Sequence, residues 1–202
     1  MVDSPTSILQ SSIAFLEEYL PEWLQKRETT GDKTPLFILI SGPQGSGKSY
    51  TAALVYKYLF EKYGETRNIA SMSIDDFYLT HDDQLKLSKT FPDNQLLQGR
   101  GLPGTHDIPL LARFIEALSK GHKSKISLPT YDKSKFNGEG GRGDAQKEIN
   151  LPLDIVVMEG WFLGFKPILE PYSHPVLQTT SDMVQVNANL LLYSCLLYTS
   201  PS

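Results

Sequence analysis

The segment 42–49 constrains the fold of this chain more than any other. It reads Gly-Pro-Gln-Gly-Ser-Gly-Lys-Ser, which matches the phosphate-loop pattern G-x-x-x-x-G-K-[ST]. A continuous apolar run at 36–40 precedes the loop, and its length predicts a strand buried on both faces of a parallel sheet. A helical pattern follows at 48–63 and stops at Gly64. The order of strand, glycine loop and helix therefore predicts an α/β P-loop NTPase fold, with a parallel sheet flanked by helices.

The residue types of the loop suit the binding of a phosphate chain. Its glycines let the backbone wrap phosphates with N–H groups pointing inward, at the positive end of a helix dipole. Lys48 is expected to reach the β- and γ-phosphates, and Ser49 to bind Mg²⁺. We therefore expect ATP and Mg²⁺ as cofactors. The predicted nucleotide-binding residues are Gly42, Gln44, Gly45, Ser46, Gly47, Lys48, Ser49 and Tyr50.

Acidic side chains follow two further predicted strands. A strand at 68–74 leads into Asp75 and Asp76, and a buried strand at 154–158 leads into Glu159. In open α/β sheets ligands bind beyond the carboxyl ends of the strands, so an acid there could accept a hydroxyl proton or hold a metal. Successive strand residues point to opposite faces, so only one of the adjacent aspartates can face the crevice directly. Solvated loop acids or helix caps remain the alternative for these carboxylates.

The other segments complete a single domain, 1–202, with an N-terminal helical segment at 1–34 and a binding core at 35–195. Pro21 is expected to kink or end the first part of the N-terminal helix. The chain stops shortly after a helix begins at Val184, so we expect a truncated C-terminus and apolar residues near 190–197 without a packing partner. Helices are expected at 4–28, 80–89 and 107–120, a short strand at 126–128 and a mobile glycine-rich loop at 132–147.

Composition narrows the class of protein. The formal net charge of −4 argues against a nucleic-acid partner, which normally meets a basic surplus. The single cysteine, Cys195, excludes an internal disulfide. No apolar run approaches the roughly 20 residues of a membrane span, and the N-terminus lacks a secretion signal. We expect a cytoplasmic protein that binds a small molecule and neither nucleic acid nor membrane.

Basic residues are concentrated in one stretch of this acidic chain. Between 120 and 147 they are Lys120, Lys123, Lys125, Lys133, Lys135, Arg142 and Lys147, against the acids Asp132, Glu139 and Asp144. Such a surplus suits a small anionic acceptor and the phosphate being transferred. Arg142 is the expected clamp, because its planar fork can pair bidentately with a carboxylate or phosphate. A solvated loop without a ligand is the alternative.

Five motifs in order carry a resemblance to a known family. They are G-P-Q-G-S-G-K-S, S-I-D-D-F-Y, R-G-L-P-G-T-H-D, L-P-T-Y-D-K-S and V-V-M-E-G-W, within about 36–194. This order resembles the phosphoribulokinase–uridine kinase–pantothenate kinase group, and most of all glycerate kinase and its fungal ATP-dependent relatives. The resemblance implies that Asp75 is the catalytic base and that Glu159 lies beside the metal.

The same resemblance assigns the acceptor pocket. It places Arg100, His106 and Asp107 from one motif, and Tyr131, Asp132 and Lys133 from another, around the acceptor. Together with the basic stretch, the expected acceptor-binding residues are Asp75, Tyr78, Arg100, His106, Asp107, Tyr131, Lys133 and Arg142. The expected catalytic residues are Lys48, Asp75 and Glu159, and the expected metal ligands are Ser49, Asp75 and Glu159.

These observations predict ATP-dependent phosphoryl transfer to a hydroxyl of a small, glycerate-like acceptor. A nucleoside, pantothenate or a sugar phosphate is the alternative acceptor, and a non-catalytic ATP-binding regulator is the alternative class. A guanine-nucleotide switch is excluded, because the chain has no N-K-x-D and carries Glu159-Gly160 where D-x-x-G would stand. The family's lid and its W-R…Q-E nucleotide-base motif have no counterpart here, which adds to the expectation of a truncated chain.

Overall fold

A parallel three-stranded sheet forms the centre of this computed structural model, which describes residues 8–120, 124–170 and 181–197. The helices are α1 Ile8–Thr30, α2 Lys48–Tyr63, α3 His81–Thr90, α4 Ile108–Lys120 and α5 Ser181–Leu197. The strands are β1 Leu36–Ser41, β2 Ile69–Ser73, β3 Lys125–Leu128, β4 Tyr131–Asp132, β5 Gly141–Arg142, β6 Lys147–Asn150 and β7 Ile155–Gly160. Short 3₁₀ turns lie at Ile74–Phe77, Gln95–Leu97 and Phe136–Gly138.

The strand order in this sheet is β1-β7-β2, with both pairs parallel. The central strand β7 is buried throughout, and its alternate residues face two different apolar clusters. Val156 and Met158 pack with α4 and the start of the 3₁₀ turn after β2, whereas Ile155 and Val157 pack with α1 and α2. The prediction of an α/β fold with a parallel sheet flanked by helices is confirmed.

Strand β1 is less buried than its apolar sequence predicts. Residues 36–40 are only partly buried, because β1 has β7 as its single partner within the described part of the chain. Its side chains line one side of an apolar groove of about 880 Å³, and α1 lines the other. An apolar run gives the length of a strand but not the number of its neighbours, so the prediction of burial on both faces is wrong here.

Helix α1 continues past Pro21 to Thr30, so Pro21 does not end the helix, and the alternative of a kink stays a prediction. The proline removes one backbone hydrogen bond, at a typical cost of about 3 kcal/mol in a helix interior. Leu16, Leu20 and Leu24 are buried on both sides of it, and this packing keeps the helix continuous. Residues 4–7 of the predicted helix lie outside the described residues.

The expected loop at 132–147 is interrupted by short strands. Strand β4 pairs antiparallel with β5, and β3 pairs antiparallel with β6, so two short ladders enclose this segment. The turn between β4 and β5 is held by side chains: Asp132 accepts hydrogen bonds from Ser134, and the Lys135 ammonium donates to the Arg142 carbonyl. A strand of two residues is too short to show an alternation of apolar and polar residues. The glycines and charged residues of this segment therefore predicted a loop.

Helix α5 begins at Ser181, three residues before the predicted start. Leu190 and Tyr193 are buried in the core against α4, whereas Leu191 and Leu192 are half exposed. The expectation that the last apolar residues lack a partner is therefore wrong for Leu190 and Tyr193, and the side chains of 194–197 lie outside the described set. No helix in the described part of the chain is long and apolar enough to cross a membrane.

Candidate active site

The phosphate loop lies between β1 and α2 and has the backbone of an anion cradle. Gly45 and Gly47 have φ angles of 77° and 80°, a left-handed conformation that favours glycine. A Cβ on Gly42 would lie 2.6 Å from the Ser46 hydroxyl oxygen, so a larger residue would close the loop. Gly42 N–H also donates to the Gly160 carbonyl at 3.4 Å, which ties the loop to the end of β7.

The start of α2 is open to a ligand. Gly47 caps the helix without a side-chain hydrogen bond, so the first N–H groups of α2 are left for an anion. Lys48 and Ser49 lie in this first turn, and Tyr50 is 72% exposed. Each expected nucleotide-binding residue therefore belongs to the loop or to the first turn of α2. This arrangement fits the phosphates of ATP.

Two neighbouring carboxylates follow β2 and face different partners. In the 3₁₀ turn Ile74–Phe77, the Ser73 N–H donates to Asp76 Oδ2 at 3.2 Å, and the Asp75 N–H donates to the Ser73 hydroxyl at 3.2 Å. Asp76 thereby caps the turn, which was the alternative role for these carboxylates. The Asp75 carboxylate instead accepts a hydrogen bond from the Lys133 ammonium at 2.8 Å. Burial raises the pKa of Asp76, and the negative charges of Asp75 and Glu159 raise it further.

Glu159 is the penultimate residue of the central strand, at the same edge of the sheet. It is in register with Ile40 of β1 and Ser73 of β2, so it lies beside both the phosphate loop and the aspartate turn. Its side chain is buried, and Oε2 has no hydrogen-bond partner in the described structure. A buried carboxylate oxygen without a partner is costly unless a ligand satisfies it.

The residues at this edge fit Mg²⁺ that arrives with nucleotide phosphates. Within the described ranges, no group of three His, Cys, Asp or Glu side chains could hold a metal alone. Mg²⁺ is usually bound through one or two carboxylates together with substrate phosphates. Glu159, with its orphaned oxygen, and the expected ligands Asp75 and Ser49 are the residues that would supply the protein's share of such a site.

A cleft of about 450 Å³ opens beside the phosphate loop. Its lining includes Gln44 of the phosphate loop, Asp75 and Tyr78 after β2, and the basic side chains Arg100 and Lys133. Five of the residues expected from the sequence therefore meet in one cavity. The remaining lining residues were not expected; they are Gln84, Leu85, Gln98, Gly99, Gly138 and Glu139. Of these six residues, only Gln98 and Gly99 could have been predicted from the sequence, because they directly precede Arg100.

Arg100 holds the far wall of this cleft in place. Its guanidinium donates to the Gly138 carbonyl at 2.8 Å and to the Glu139 carbonyl, and it lies over the Tyr131 ring at 5.8 Å. A Cβ on Gly140 would lie 2.6 Å from the Tyr131 hydroxyl oxygen and 2.8 Å from Arg100 Nη1. The turn between β4 and β5 therefore needs a glycine where it meets these two side chains.

Arg142 and Asp107 are placed behind the cleft. The Arg142 guanidinium donates to the Tyr78 carbonyl at 2.9 Å and lies 3.5 Å from Asp107 Oδ2. Asp107 Oδ1 in turn accepts from the Leu110 N–H at the start of α4. Neither side chain lines the cleft, so the position of Arg142 does not support its expected role as the acceptor clamp. Its contacts instead hold the backbone that carries Tyr78.

The basic stretch is divided among separate ion pairs instead of forming one patch. Lys120 pairs with Glu116, Lys125 with Glu148 and Lys135 with Asp144. Glu116 lies on the same helix as Lys120, Glu148 lies on the strand paired with that of Lys125, and Asp144 lies in the loop before β6. A count of charges along the sequence does not show these pairs. Lys133 is the member of the stretch that lines the cleft. Lys123 lies outside the described residues.

Tyr78, which lines the cleft, packs against the buried His106. Their rings stack with centroids 4.3 Å apart, and Tyr131 meets Tyr78 edge-on at 5.1 Å. His106 is 3% exposed, and burial lowers its pKa to about 3, so the imidazole is neutral near neutral pH. Burial also raises the pKa of Tyr78, and the neighbouring Asp75 carboxylate adds to this shift.

The parallel sheet, the glycine cradle and the acids at the strand ends together define a P-loop kinase of the class that acts on small molecules. Over 205 residues the chain is 51% identical to the probable ATP-dependent kinase TDA10 of Saccharomyces cerevisiae, covering 100% of this chain and 69% of that protein. The chain therefore belongs to the family of this yeast kinase. The resemblance to fungal ATP-dependent relatives of glycerate kinase is therefore confirmed as membership of this family.

Solved structures and a family model agree with this assignment. The structure of YGR205w protein matches with a TM-score of 0.88 and 52% identity, over 97% of this chain and 68% of that one. The D-glycerate 3-kinase of Cryptococcus neoformans matches with a TM-score of 0.76 and 36% identity, over 94% of this chain and 69% of that one. A family model described as Zeta toxin matches residues 21–95. The chain thus spans about two thirds of the length of these three relatives.

Proposed function

We propose that this chain carries the phosphate-binding and acceptor-binding parts of a kinase that transfers the γ-phosphate of ATP to a hydroxyl of a small anionic hydroxy acid. One observation carries the proposal. Gln44 of the phosphate loop, the Asp75 carboxylate and two basic side chains, Arg100 and Lys133, line a single cleft. D-glycerate, the substrate for which the Cryptococcus neoformans relative is named, has this chemistry and is our first choice.

The charges in the cleft favour an acceptor that carries its own negative charge. Asp75 pairs with Lys133, whose side chain is 60% exposed and free to exchange its partner for an acceptor carboxylate. Arg100 adds a second positive charge on the same wall. A neutral nucleoside would leave these cations without a counter-charge, so the cleft favours an acid over a nucleoside.

In the proposed reaction the chain orients the reactants and moves one proton. The loop N–H groups and Lys48 hold the phosphates, while Lys133 and Arg100 hold the acceptor acid so that its hydroxyl faces Gln44 and Asp75. Asp75 accepts the hydroxyl proton as the oxygen attacks the γ-phosphorus, and ADP leaves in line. Ser49 and Glu159 would hold Mg²⁺, which supplies charge neutralisation at the phosphates.

An acceptor panel tests this proposal. The chain is mixed with ATP and Mg²⁺ and with glycerate, pantothenate, uridine or ribulose 5-phosphate, and ADP release and the phosphorylated product are measured. We expect ADP release to depend on an acceptor and to be fastest with glycerate. Lys48→Ala should abolish transfer and weaken ATP binding, because Lys48 supplies the point charge at the β- and γ-phosphates.

The matched control for Lys48→Ala lies on the same helix. Lys57 is exposed and pairs with Glu61, so Lys57→Ala should leave ATP binding and transfer unchanged. ATP binding in calorimetry without ADP release under any acceptor would favour the alternative class, a non-catalytic ATP-binding regulator. Equal rates with and without acceptor would also contradict the proposal.

A further inference from the structure

The turn between β4 and β5 has a strained backbone directly before the residues with which it lines the cleft. Phe136 and Asn137 have φ angles of 53° and 55°, a left-handed conformation that bulky side chains rarely adopt. Such residues persist only where the surrounding structure holds them, and they are concentrated at functional sites. The next two residues, Gly138 and Glu139, line the cleft. The contacts that hold this turn are therefore the place to look for a further role.

His81, the first residue of α3, contacts the strained part of the turn through the face of its ring. The imidazole stacks on the Phe136 ring with centroids 3.8 Å apart and an interplanar angle of 6°. A Cβ on Gly141 would lie 2.7 Å from Phe136 Cε2, so the start of β5 also lies close to this ring. The stack with His81 therefore supports Phe136 in its left-handed conformation.

The same imidazole makes a hydrogen bond further along the turn. His81 Nε2 lies 2.7 Å from Glu139 Oε2. An ionised carboxylate can only accept, so the Nε2–H donates this bond. The His81 side chain is 17% exposed, whereas that of Glu139 is 67% exposed. A single, largely buried side chain of α3 therefore contacts the turn at two points, through a ring and through a carboxylate.

Helix α3 is itself fixed to the segment that carries Arg100. Gln84 Nε2 donates to the Leu97 carbonyl at 2.9 Å, three residues before Arg100. The Arg100 guanidinium in turn donates to two backbone carbonyls of the turn. His81 and Arg100 therefore hold the same short stretch, 136–139, from two elements that are tied to each other.

We infer that His81 is a positioning residue for the acceptor site: by holding the β4–β5 turn, it keeps Lys133 and Arg100 facing the acceptor. This inference rests on the proposed function, in which these two cations bind the acceptor acid. Within the described residues His81 does not line the cleft, so it acts through the turn and not by contact with the acceptor. The phosphate loop is tied to β7 by its own backbone hydrogen bond, so ATP binding does not depend on His81.

The geometry is tested first without any activity, by NMR of the chain with isotope-labelled histidine. The His81 signals are assigned by their loss in His81→Ala. Because the imidazole lies on the face of the Phe136 ring, its protons should resonate upfield of those of an unstacked histidine. Phe136→Leu should remove this shift, whereas Phe60→Leu, a change of another half-exposed phenylalanine on α2, should not. Unshifted His81 signals in the unaltered chain would overturn the inference.

The kinetic test uses His81→Ala, which removes both contacts of the imidazole. We expect the acceptor KM to rise about three- to tenfold, the usual worth of an aromatic pair or of a hydrogen bond to a charged group. The kcat and the KM for ATP should stay within about twofold, because the proposed base and the phosphate loop are untouched. Phe60→Ala is the matched control and should leave all three constants unchanged.

A double-mutant cycle separates positioning from other effects of the substitution. His81→Phe keeps the stack without the hydrogen bond, so it should recover part of the loss that His81→Ala causes. In a Phe136→Ala background no stack remains to be kept, and His81→Phe and His81→Ala should then have the same acceptor KM. An advantage of His81→Phe that persists without Phe136 would overturn the inference.

The remaining outcomes separate the possible roles of His81. A lower Tm with an unchanged acceptor KM would mean that the residue only stabilises the fold, and would overturn the inference. Equal increases of both KM values would overturn it as well. If His81→Ala does not fold, Phe136→Ala replaces it, with the same expected rise of the acceptor KM. Failure of the proposed function is recognised separately, because the unaltered chain would then show no acceptor-dependent transfer.

Discussion

Hydrogen bonds to Ser73 give Asp75 and Asp76 different contacts. Its N–H holds the Asp76 carboxylate and its hydroxyl receives the Asp75 N–H, so the backbone turns before the strand alternation can continue. The Asp75 side chain is left facing Lys133 in the cleft. The sequence predicted that only one of the two aspartates faces the crevice, but the 3₁₀ turn, and not strand alternation, produces this result.

Asp75→Asn separates the proposed base from its neighbour. The amide keeps the shape of the side chain but cannot accept the hydroxyl proton, so kcat should fall by roughly two to four powers of ten. The ATP dissociation constant should stay within about twofold, because the loop and Lys48 are untouched. Stopped-flow or quenched-flow transfer assays and calorimetry measure these two quantities.

The matched control for this variant is Asp76→Asn, one residue further along. Its amide oxygen can still accept from the Ser73 N–H, so kcat should change little. Near-normal turnover in Asp75→Asn, together with a large loss in Asp76→Asn, would reverse the two assignments.

Asp76 also gives a prediction for stability against pH. The pKa of Asp76 is raised in the folded state, so ionisation of this carboxyl group destabilises the fold. The destabilisation is absent below the ordinary pKa of 3.8 and is complete once the pH exceeds the folded-state pKa. Asp76→Asn should therefore raise Tm at pH 7, and the gain should disappear below about pH 4. A gain that is equal at both pH values, or a loss at pH 7, would contradict the raised pKa.

At the scale of elements, the sequence predicted the strand, loop and helix of the phosphate cradle with nearly the observed bounds. The reason is that this unit is local: an apolar run, glycines and a helical pattern follow one another without a gap. The β4–β5 turn could not be predicted in this way. Its shape depends on Arg100, 38 residues away from Gly138, and on a tyrosine ring that only the folded chain brings close.

Gly140→Ala tests whether this turn forms the acceptor wall. Gly140 has a φ of 86°, and a methyl group there would meet Tyr131 and Arg100, so both side chains should be displaced. We expect the acceptor KM to rise about tenfold, the effect of roughly 1.4 kcal/mol of lost binding, while the KM for ATP stays the same. Initial rates over both substrate concentrations give the two constants.

Gly31→Ala is the matched control for this variant. Gly31 has a similar φ of 68° but open space around its Cβ position, at the end of α1 and away from the cleft. It should lower Tm through backbone strain alone and leave both KM values unchanged. If Gly140→Ala also changed only Tm, the β4–β5 turn would not form part of the acceptor site.

At the scale of the whole molecule, the central strand β7 brings the candidate site residues to one edge of the sheet. Because β1 and β2 both run parallel to it, the phosphate loop, the aspartate turn and Glu159 reach the same edge of the sheet. This part of the site follows from the rule for strand ends and was predicted from the sequence. The acceptor cleft was not fully predictable, since α3, the segment before Arg100 and the β4–β5 turn meet only through tertiary packing.

The central claim is that an anionic acceptor binds in the cleft beside the phosphate loop, with Lys133 as its counter-charge. Lys133→Gln should raise the acceptor KM about ten- to a hundredfold, the usual worth of a hydrogen bond to a charged group, and leave the KM for ATP unchanged. Lys125→Gln is the matched control, because Lys125 is exposed and pairs with Glu148 outside the cleft. Its KM values should equal those of the unaltered chain.

The measurement that tests the claim most directly is therefore the pair of KM values of Lys133→Gln, from initial rates of ADP release at varied glycerate and ATP. If the claim is correct, only the KM for glycerate changes. An unchanged glycerate KM, or equal increases for both substrates, would place the acceptor elsewhere and contradict it.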